Sequence, residues 1–144
     1  MDLPFSKAAD RNKDPILDVL KEIIPVDKLV NILEIASGTG QHAQFFSGHF
    51  KNVKWITTER FENHWALKEV IKSCGRDNIL GPFELEVGKS LFPNIGCEFD
   101  FAFMSNLLHI LSWEKVEQLM GMIKEYAERK KPLQVLIYGP FNYR

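Results

Sequence analysis

The chain has 144 residues and 45% hydrophobic content, enough to bury one core, and reads as a single domain over residues 1–144. Its 18 basic and 19 acidic residues are interspersed and nearly cancel, which excludes the basic footprint of a nucleic-acid binder. The polar start, Met1 to Lys13, is unlike a signal peptide, and no apolar run approaches the roughly 20 residues of a membrane span.

Met1 to Lys13 reads as polar and irregular. Asp14-Pro15 signals a helix start, with Asp14 as N-cap and Pro15 at the first helical position. Ile16, Leu17, Leu20, Ile23 and Ile24 then recur at helical spacing, and Pro25 stops the helix. Ile32, Leu33, Ile35 and Ala36 form a short apolar run suited to a strand covered on both faces, interrupted by Glu34. Ser37-Gly38-Thr39-Gly40 is a turn, and Gln41 to Phe46 continues as a helix. His42 reads as a surface residue at the helix start.

Val53 to Thr58 is a second strand ending at Glu59. A helix over Asn63 to Cys74 follows, stopped by Gly75. Pro82 to Val87 is the third strand and Phe99 to Met104 the fourth. Ser112 caps a long helix with Val116, Leu119, Met120, Ile123 and Ala127 on its apolar face. Pro132 ends that helix, and Leu133 to Tyr138 is the fifth strand. Trp55, Trp65 and the phenylalanines read as packing between helices and sheet.

Alternating strands and helices predict an α/β fold with a parallel sheet wrapped on both faces. Its ligand site belongs at the carboxyl ends of the strands, where strand order reverses. Gly38 to Gly40, Glu59, Glu86, Ser105 to His109 and Tyr138 to Phe141 all follow strand ends, so one crevice is expected to gather them. Gly38 to Ala43 matches G-x-G-x-x-G/A, with Glu59 placed to accept ribose hydroxyls. A nicotinamide dinucleotide and S-adenosylmethionine both fit this pattern. Glu34 favours the second, because an acid suits a sulfonium and an ammonium but not a pyrophosphate. Among the histidines, His109 is either a core residue or a base facing the crevice, whereas His49 and His64 suggest nothing. No His or Cys pair has metal-ligand spacing, and Cys74 and Cys97 fit reduced thiols in a cytoplasmic, or cytoplasmic and nuclear, protein.

The blocks AADRNKDPIL, LEIASGTGQHA, SNLLHILSWE and YGPFN resemble, in the same order from Ala8 to Asn142, the methyltransferase-like 26 family within the class I S-adenosylmethionine-dependent methyltransferases. The resemblance implies a Rossmann-like sheet and a cofactor pocket on Glu34, Gly38, Gly40 and Glu59, with Asn106 contributing from the fourth strand end. It also implies an N-terminal segment over the crevice that brings Arg11 to the methionine carboxylate. Where the family often has Leu-Asp-Val, this chain has Leu85-Glu86-Val87, so Glu86 is expected to accept from the adenine amino group. His109, Tyr138 and Arg11 are the acceptor-side candidates, Tyr138 reading equally as a core aromatic with its hydroxyl at the rim, and the methyl acceptor is unnamed. Relatives extend well past YGPFN, so the chain is expected to be a short isoform, a truncated gene model or a fragment. It would then lack the usual C-terminal strands and leave the fifth strand as an open edge. Two other readings stay open: an NAD(P)-binding oxidoreductase, and an inactive form that binds a protein partner through that edge.

Overall fold

The structure, a computed structural model, describes residues 3–141. Its elements run α1 (Lys7–Ile23), β1 (Val30–Glu34), α2 (Gln41–Ser47), β2 (Val53–Glu59), a 3-10 turn (Phe61–Asn63), α3 (His64–Cys74), β3 (Ile79–Glu84), β4 (Phe101–Ser105), a second 3-10 turn (Leu108–Ile110), α4 (Trp113–Arg129) and β5 (Gln134–Tyr138). The five strands are all parallel, in the order β3-β2-β1-β4-β5. The α/β class and the flanked parallel sheet are therefore as the sequence predicts. The chain winds outward from β1 to β3, then returns to place β4 on the other side of β1. Strand order reverses between β1 and β4, and that gap is where such sheets open a ligand crevice.

Successive side chains of a strand face opposite sides, so the alternating apolar residues of β1, β2 and β4 feed two cores. Ile32, Trp55 and Phe103 pack with Leu17, Leu20 and Phe46 beneath α1 and α2. Leu33, Ile56 and Met104 pack with Leu119 and Met122 beneath α4. On α4 it is Met122, not the expected Met120, that turns inward; Met120 is exposed. Trp65 is also exposed rather than packed, standing on the outer side of α3 while Ala66, Leu67 and Val70 face the sheet.

Two element boundaries differ most from expectation, while β1 and β4 shift by one or two residues. Helix α1 begins at Lys7, and Pro15 lies inside it. Ser6 is its N-cap, its Oγ accepting from the Ala9 amide at 3.2 Å. Burial of Asn12 holds the first turns down, so tertiary contacts outweigh the Asp14-Pro15 start signal. Strand β3 begins three residues early, because Ile79 and Leu80 pair with Trp55 and Ile56. The ladder is irregular between Ile56 and Thr58, where Gly81 and Pro82 lie opposite and proline has no amide to offer. Pairing resumes at Thr58 with Phe83 and Glu59 with Glu84, and the Leu85 amide donates to the Glu59 carbonyl at 3.1 Å. Among the described residues β5 is an edge strand, and no helix is long and apolar enough to cross a membrane. Asn142 and Arg144, which the sequence reading also used, lie outside the described residues.

Candidate functional site

Leaving β1, the chain must climb over the sheet edge within a few residues. The Ile35 amide still pairs with Phe103 (2.8 Å), after which Ala36 takes a left-handed conformation at φ +59°. Ser37 is then held to β2 twice: its amide donates to the Thr58 carbonyl (2.7 Å) and its Oγ accepts from the Thr58 amide (3.1 Å). Gly38 and Gly40 follow at φ +56° and +75°, values that glycine adopts without penalty.

The two glycines have different surroundings. A Cβ built on Gly38 would meet nothing within 4 Å, so a ligand can approach its backbone. One built on Gly40 would stand 2.8 Å from Leu67 Cδ1 and 3.1 Å from Val70 Cγ1. Gly40 thus permits close packing of the turn against α3 and does not line the crevice.

The crevice opens at the carboxyl ends of β1 and β4, walled by Glu34, Ser37, Gly38 and Thr39 on one side and by Ser105 and Asn106 on the other. Asn106 has φ +53°, and its amide donates to the Tyr138 carbonyl at 2.8 Å. The Ser105 hydroxyl oxygen is buried and has no hydrogen-bond partner in the protein. Ser6 and Ala9 of the N-terminal segment close a third side. Larger hollows exist elsewhere: one of about 540 Å³ beside Phe92, Cys97 and Tyr126 lies at the amino ends of the strands, and one of about 410 Å³ runs along edge strand β5 between Val135 to Tyr138 and the Pro15 to Leu20 stretch of α1.

Glu34 is 3% exposed and accepts from Trp55 Nε1 at 3.2 Å. Burial pushes its carboxyl up to about 7; Ser37 and Trp55 hydrogen bonds oppose the rise and nearby Glu59 adds to it. A cation in the crevice would therefore ionise it at neutral pH. Glu59, also buried, has its carboxylate engaged by the protein: Oε2 accepts from the Gly38 amide (2.9 Å), and Oε1 from the Arg60 amide (2.9 Å) and Asn63 Nδ2 (3.2 Å).

His42 is buried, not at the surface as expected, and lines the crevice. Its Nε2 lies 2.7 Å from Asn12 Oδ1, its ring stacks on Phe46, and Phe103 meets it edge-on. Burial pushes its pKa down to about 4, against a hydrogen bond to the Ala9 backbone, so the ring is neutral at pH 7. The i, i+4 spacing of His42 and Phe46 on the inner face of α2 was the available sign of this burial. A second tie fastens α1: the Ser6 amide donates to Gln41 Oε1, and Gln41 Nε2 returns a bond to the Ser6 carbonyl. His64 is buried too, with Nε2 on the Glu59 carbonyl at 2.9 Å.

The expected residues are thus only partly gathered. Glu34, Gly38 and Asn106 line the crevice, and Glu59 supports its turn. Glu86 lies half-buried beyond β3, where Lys89 at 2.9 Å holds its carboxyl below the ordinary range. Arg11 is exposed on α1, and the segment's contribution to the crevice comes from Ser6 and Ala9. His109 is exposed, not a core residue, and Tyr138 is 40% exposed at the end of β5; neither lines the crevice. Ser6, Ser37 and His42 are lining residues that the sequence reading did not select. Among the described residues, no three His, Cys, Asp or Glu side chains cluster to hold a metal ion.

Residues 3–144 match the family described as protein of unknown function DUF938, and the chain belongs to that family. The fold is similar to solved methyltransferases. The S-adenosylmethionine-dependent methyltransferase SibL is 13% identical with a TM-score of 0.73, over 94% of this chain and 37% of that one. Human N-acetylserotonin methyltransferase, solved in complex with S-adenosylmethionine, is 17% identical with a TM-score of 0.66, over 83% of this chain and 32% of that one. An S-adenosylmethionine-dependent methyltransferase from Aquifex aeolicus is 24% identical with a TM-score of 0.58, over 76% of this chain and 59% of that one. The chain spans less than two thirds of each, and at these identities the likeness is one of fold.

Proposed function

We propose that this chain binds S-adenosylmethionine in the crevice and serves methyl transfer, as the methyltransferase-like 26 resemblance implies. The observation that carries the reading is Glu34: a buried acid poised near neutrality at the carboxyl end of β1, beside the open backbone of Gly38. A pyrophosphate would meet repulsion there, whereas a cationic ligand would meet its counter-charge. Human N-acetylserotonin methyltransferase, solved with S-adenosylmethionine, and coclaurine N-methyltransferase, solved with S-adenosylhomocysteine, have a similar fold, which supports the reading.

In this reading Glu34 balances the ligand's positive charge and Gly38 admits it to the backbone. Asn106 and Ser105 offer polar atoms from the β4 end. Glu59 accepts from ribose with the capacity left on its carboxylate, which can take about four hydrogen bonds and already accepts three from the protein. When bound, the sulfonium supplies an activated methyl carbon. The protein's part is to align an acceptor, exclude water and receive a proton where one is released. Cys74 and Cys97, both free, fit a reducing, cytoplasmic setting.

Calorimetric titration with S-adenosylhomocysteine and with NADH tests the reading. Saturable binding of the first and none of the second is expected. Binding of NADH alone would replace it with the NAD(P)-dependent oxidoreductase that Gly38 to Ala43 also fits. Exposed Ile137 and Tyr138 on edge strand β5 favour a second reading, association with a protein partner. It predicts complexes in light scattering that Ile137→Lys dissolves; a monomer with methyl-transfer activity would rule it out.

A further inference from the structure

The two edges of the sheet differ in chemistry. β3 carries Pro82 within the strand and exposed Glu84 at its end, and both discourage a further strand. β5 has neither a proline nor a charge, and among the described residues no strand pairs with its outer side.

The hydrogen bonds fix which backbone groups that side offers. The Gln134 amide donates to the Asp100 carbonyl at 3.0 Å, and the Tyr138 carbonyl accepts from the Asn106 amide at 2.8 Å. Gln134, Leu136 and Tyr138 therefore turn their polar groups towards β4. The alternation of a strand then turns those of Val135 and Ile137 outward. Beside this edge lies the groove of about 410 Å³, walled by Ile16, Val19 and Leu20 of α1 and by Leu136 and Tyr138 of β5. None of its lining residues is charged, and Val19 is 53% exposed. Free backbone groups beside an uncharged apolar groove suit the addition of an extended strand.

The edge is complementary to itself. Antiparallel pairing about a two-fold axis at Leu136 sets Val135 of one copy opposite Ile137 of the other. Each such pair exchanges both amide–carbonyl bonds, so no outward group of either residue is left over. Leu136 then meets its own counterpart on the α1 side, where it already packs against the core. Close to a two-fold axis each charge meets its own kind, so self-pairing calls for a strand without charges. A different protein would be expected to recognise a complementary charge, and neither β5 nor its groove presents one.

We propose that β5 pairs with β5 of a second copy of this chain, antiparallel about Leu136, joining two sheets and covering the groove beside α1. The inference rests on the association reading above and names its partner. One five-residue strand and one groove make a small contact beside the roughly 20–30 residues a side of a standard interface, so the dimer should dissociate at micromolar concentration.

Light scattering should show the mass of the parent chain rising from one copy to two across the micromolar range, and Ile137→Lys should hold it at one. Cross-linking reads the register. In a chain carrying Cys74→Ser and Cys97→Ser, Leu136→Cys should join two copies under copper–phenanthroline oxidation, because opposed residues of this kind stand about 4.5 Å apart at Cα. Val135→Cys, set off from its counterpart along the strands and beyond disulfide reach, should cross-link at least tenfold more slowly. Equal cross-linking at both positions, or a dimer that survives Ile137→Lys, would overturn the pairing. A chain that stays monomeric yet captures another protein through an intact Ile137 would leave the association reading standing and sink the second copy. A chain that does neither would sink both.

Discussion

The Glu59 carboxylate holds the backbone amide of Gly38 at 2.9 Å, joining the end of one strand to a turn 21 residues earlier. It therefore braces the glycine turn before any ligand arrives. Glu59→Ala would strip partners from the Gly38 and Arg60 amides, and a lost charge-assisted bond to a buried donor costs about 1.5–3 kcal/mol. Urea unfolding should register that loss, alongside weaker S-adenosylhomocysteine binding. Glu59→Gln should fall between the two, since its carbonyl can still accept from Gly38. An alanine variant as stable as the parent would show that the brace contributes nothing.

Gly38 and Gly40 should separate binding from stability. Gly38→Ala places a methyl in open space, so the expected cost is the left-handed backbone alone, about 1 kcal/mol, while ligand affinity drops at least tenfold. Gly40→Ala drives a methyl into Leu67 and Val70 as well, and overpacking of this kind adds about 1–3 kcal/mol. Its lesion should appear first in the melting temperature. The reverse pattern in paired melting and titration experiments would refute the assignment.

Two buried groups at the crevice should give opposing pH dependences. Below about pH 4.5 Glu34 is protonated whether the chain is folded or unfolded. Between there and about 7 the unfolded chain ionises it while the folded chain keeps the proton, so its contribution to stability falls as pH rises. His42 runs the other way. Between about 4 and 6.5 the unfolded chain holds a proton that the folded chain rejects, so stability rises with pH. Each effect amounts to about 3 kcal/mol in full. The parent should show a shallow profile from pH 4.5 to 6.5. Glu34→Gln should expose the rise and His42→Gln the fall, both measured as unfolding free energy against pH. Profiles that neither substitution tilts would contradict the burial argument.

Asn12 anchors α1 through the His42 imidazole. Asn12→Ala leaves the buried Nε2 of that ring without its partner, at an expected cost of about 1–3 kcal/mol. The same change in the double variant Asn12→Ala/His42→Phe should cost much less, because no polar group is then stranded. A double-mutant cycle with no coupling would show the pair to be incidental.

The first half of the Rossmann-like unit was legible because each step carried local chemistry. An apolar run, two glycines, a helix with a glycine stop and a strand-end acid all lie within Asn31 to Gly75. Helix α1 was misread at its start because Asp14-Pro15 imitates a cap, and the Ser6 cap works through contacts with Gln41 that sequence spacing does not reveal. The early start of β3 is fixed by its register on β2, a property of the pair and not of either strand. His42 was misplaced because a polar residue at a helix start is usually solvated, and only its partner 30 residues away makes burial tolerable. The division of labour between Gly38 and Gly40 was hidden for a similar reason: the sequence shows that both can turn, and only Leu67 shows which of them must be small.

Pro15 interrupts α1 at a telling place. It has no amide to offer the Arg11 carbonyl, so the hydrogen-bond ladder is broken between the half of the helix near the crevice and the half bearing Ile16, Leu17 and Leu20. The later half is secured by burial in the sheet core, whereas the earlier half depends on its ties to Gln41 and His42. The two halves should therefore exchange their amide hydrogens with deuterium at different rates, with residues 7–14 opening first. A ligand held against Ser6 and Ala9 would then slow exchange in those first two turns and leave the rest of the helix unchanged.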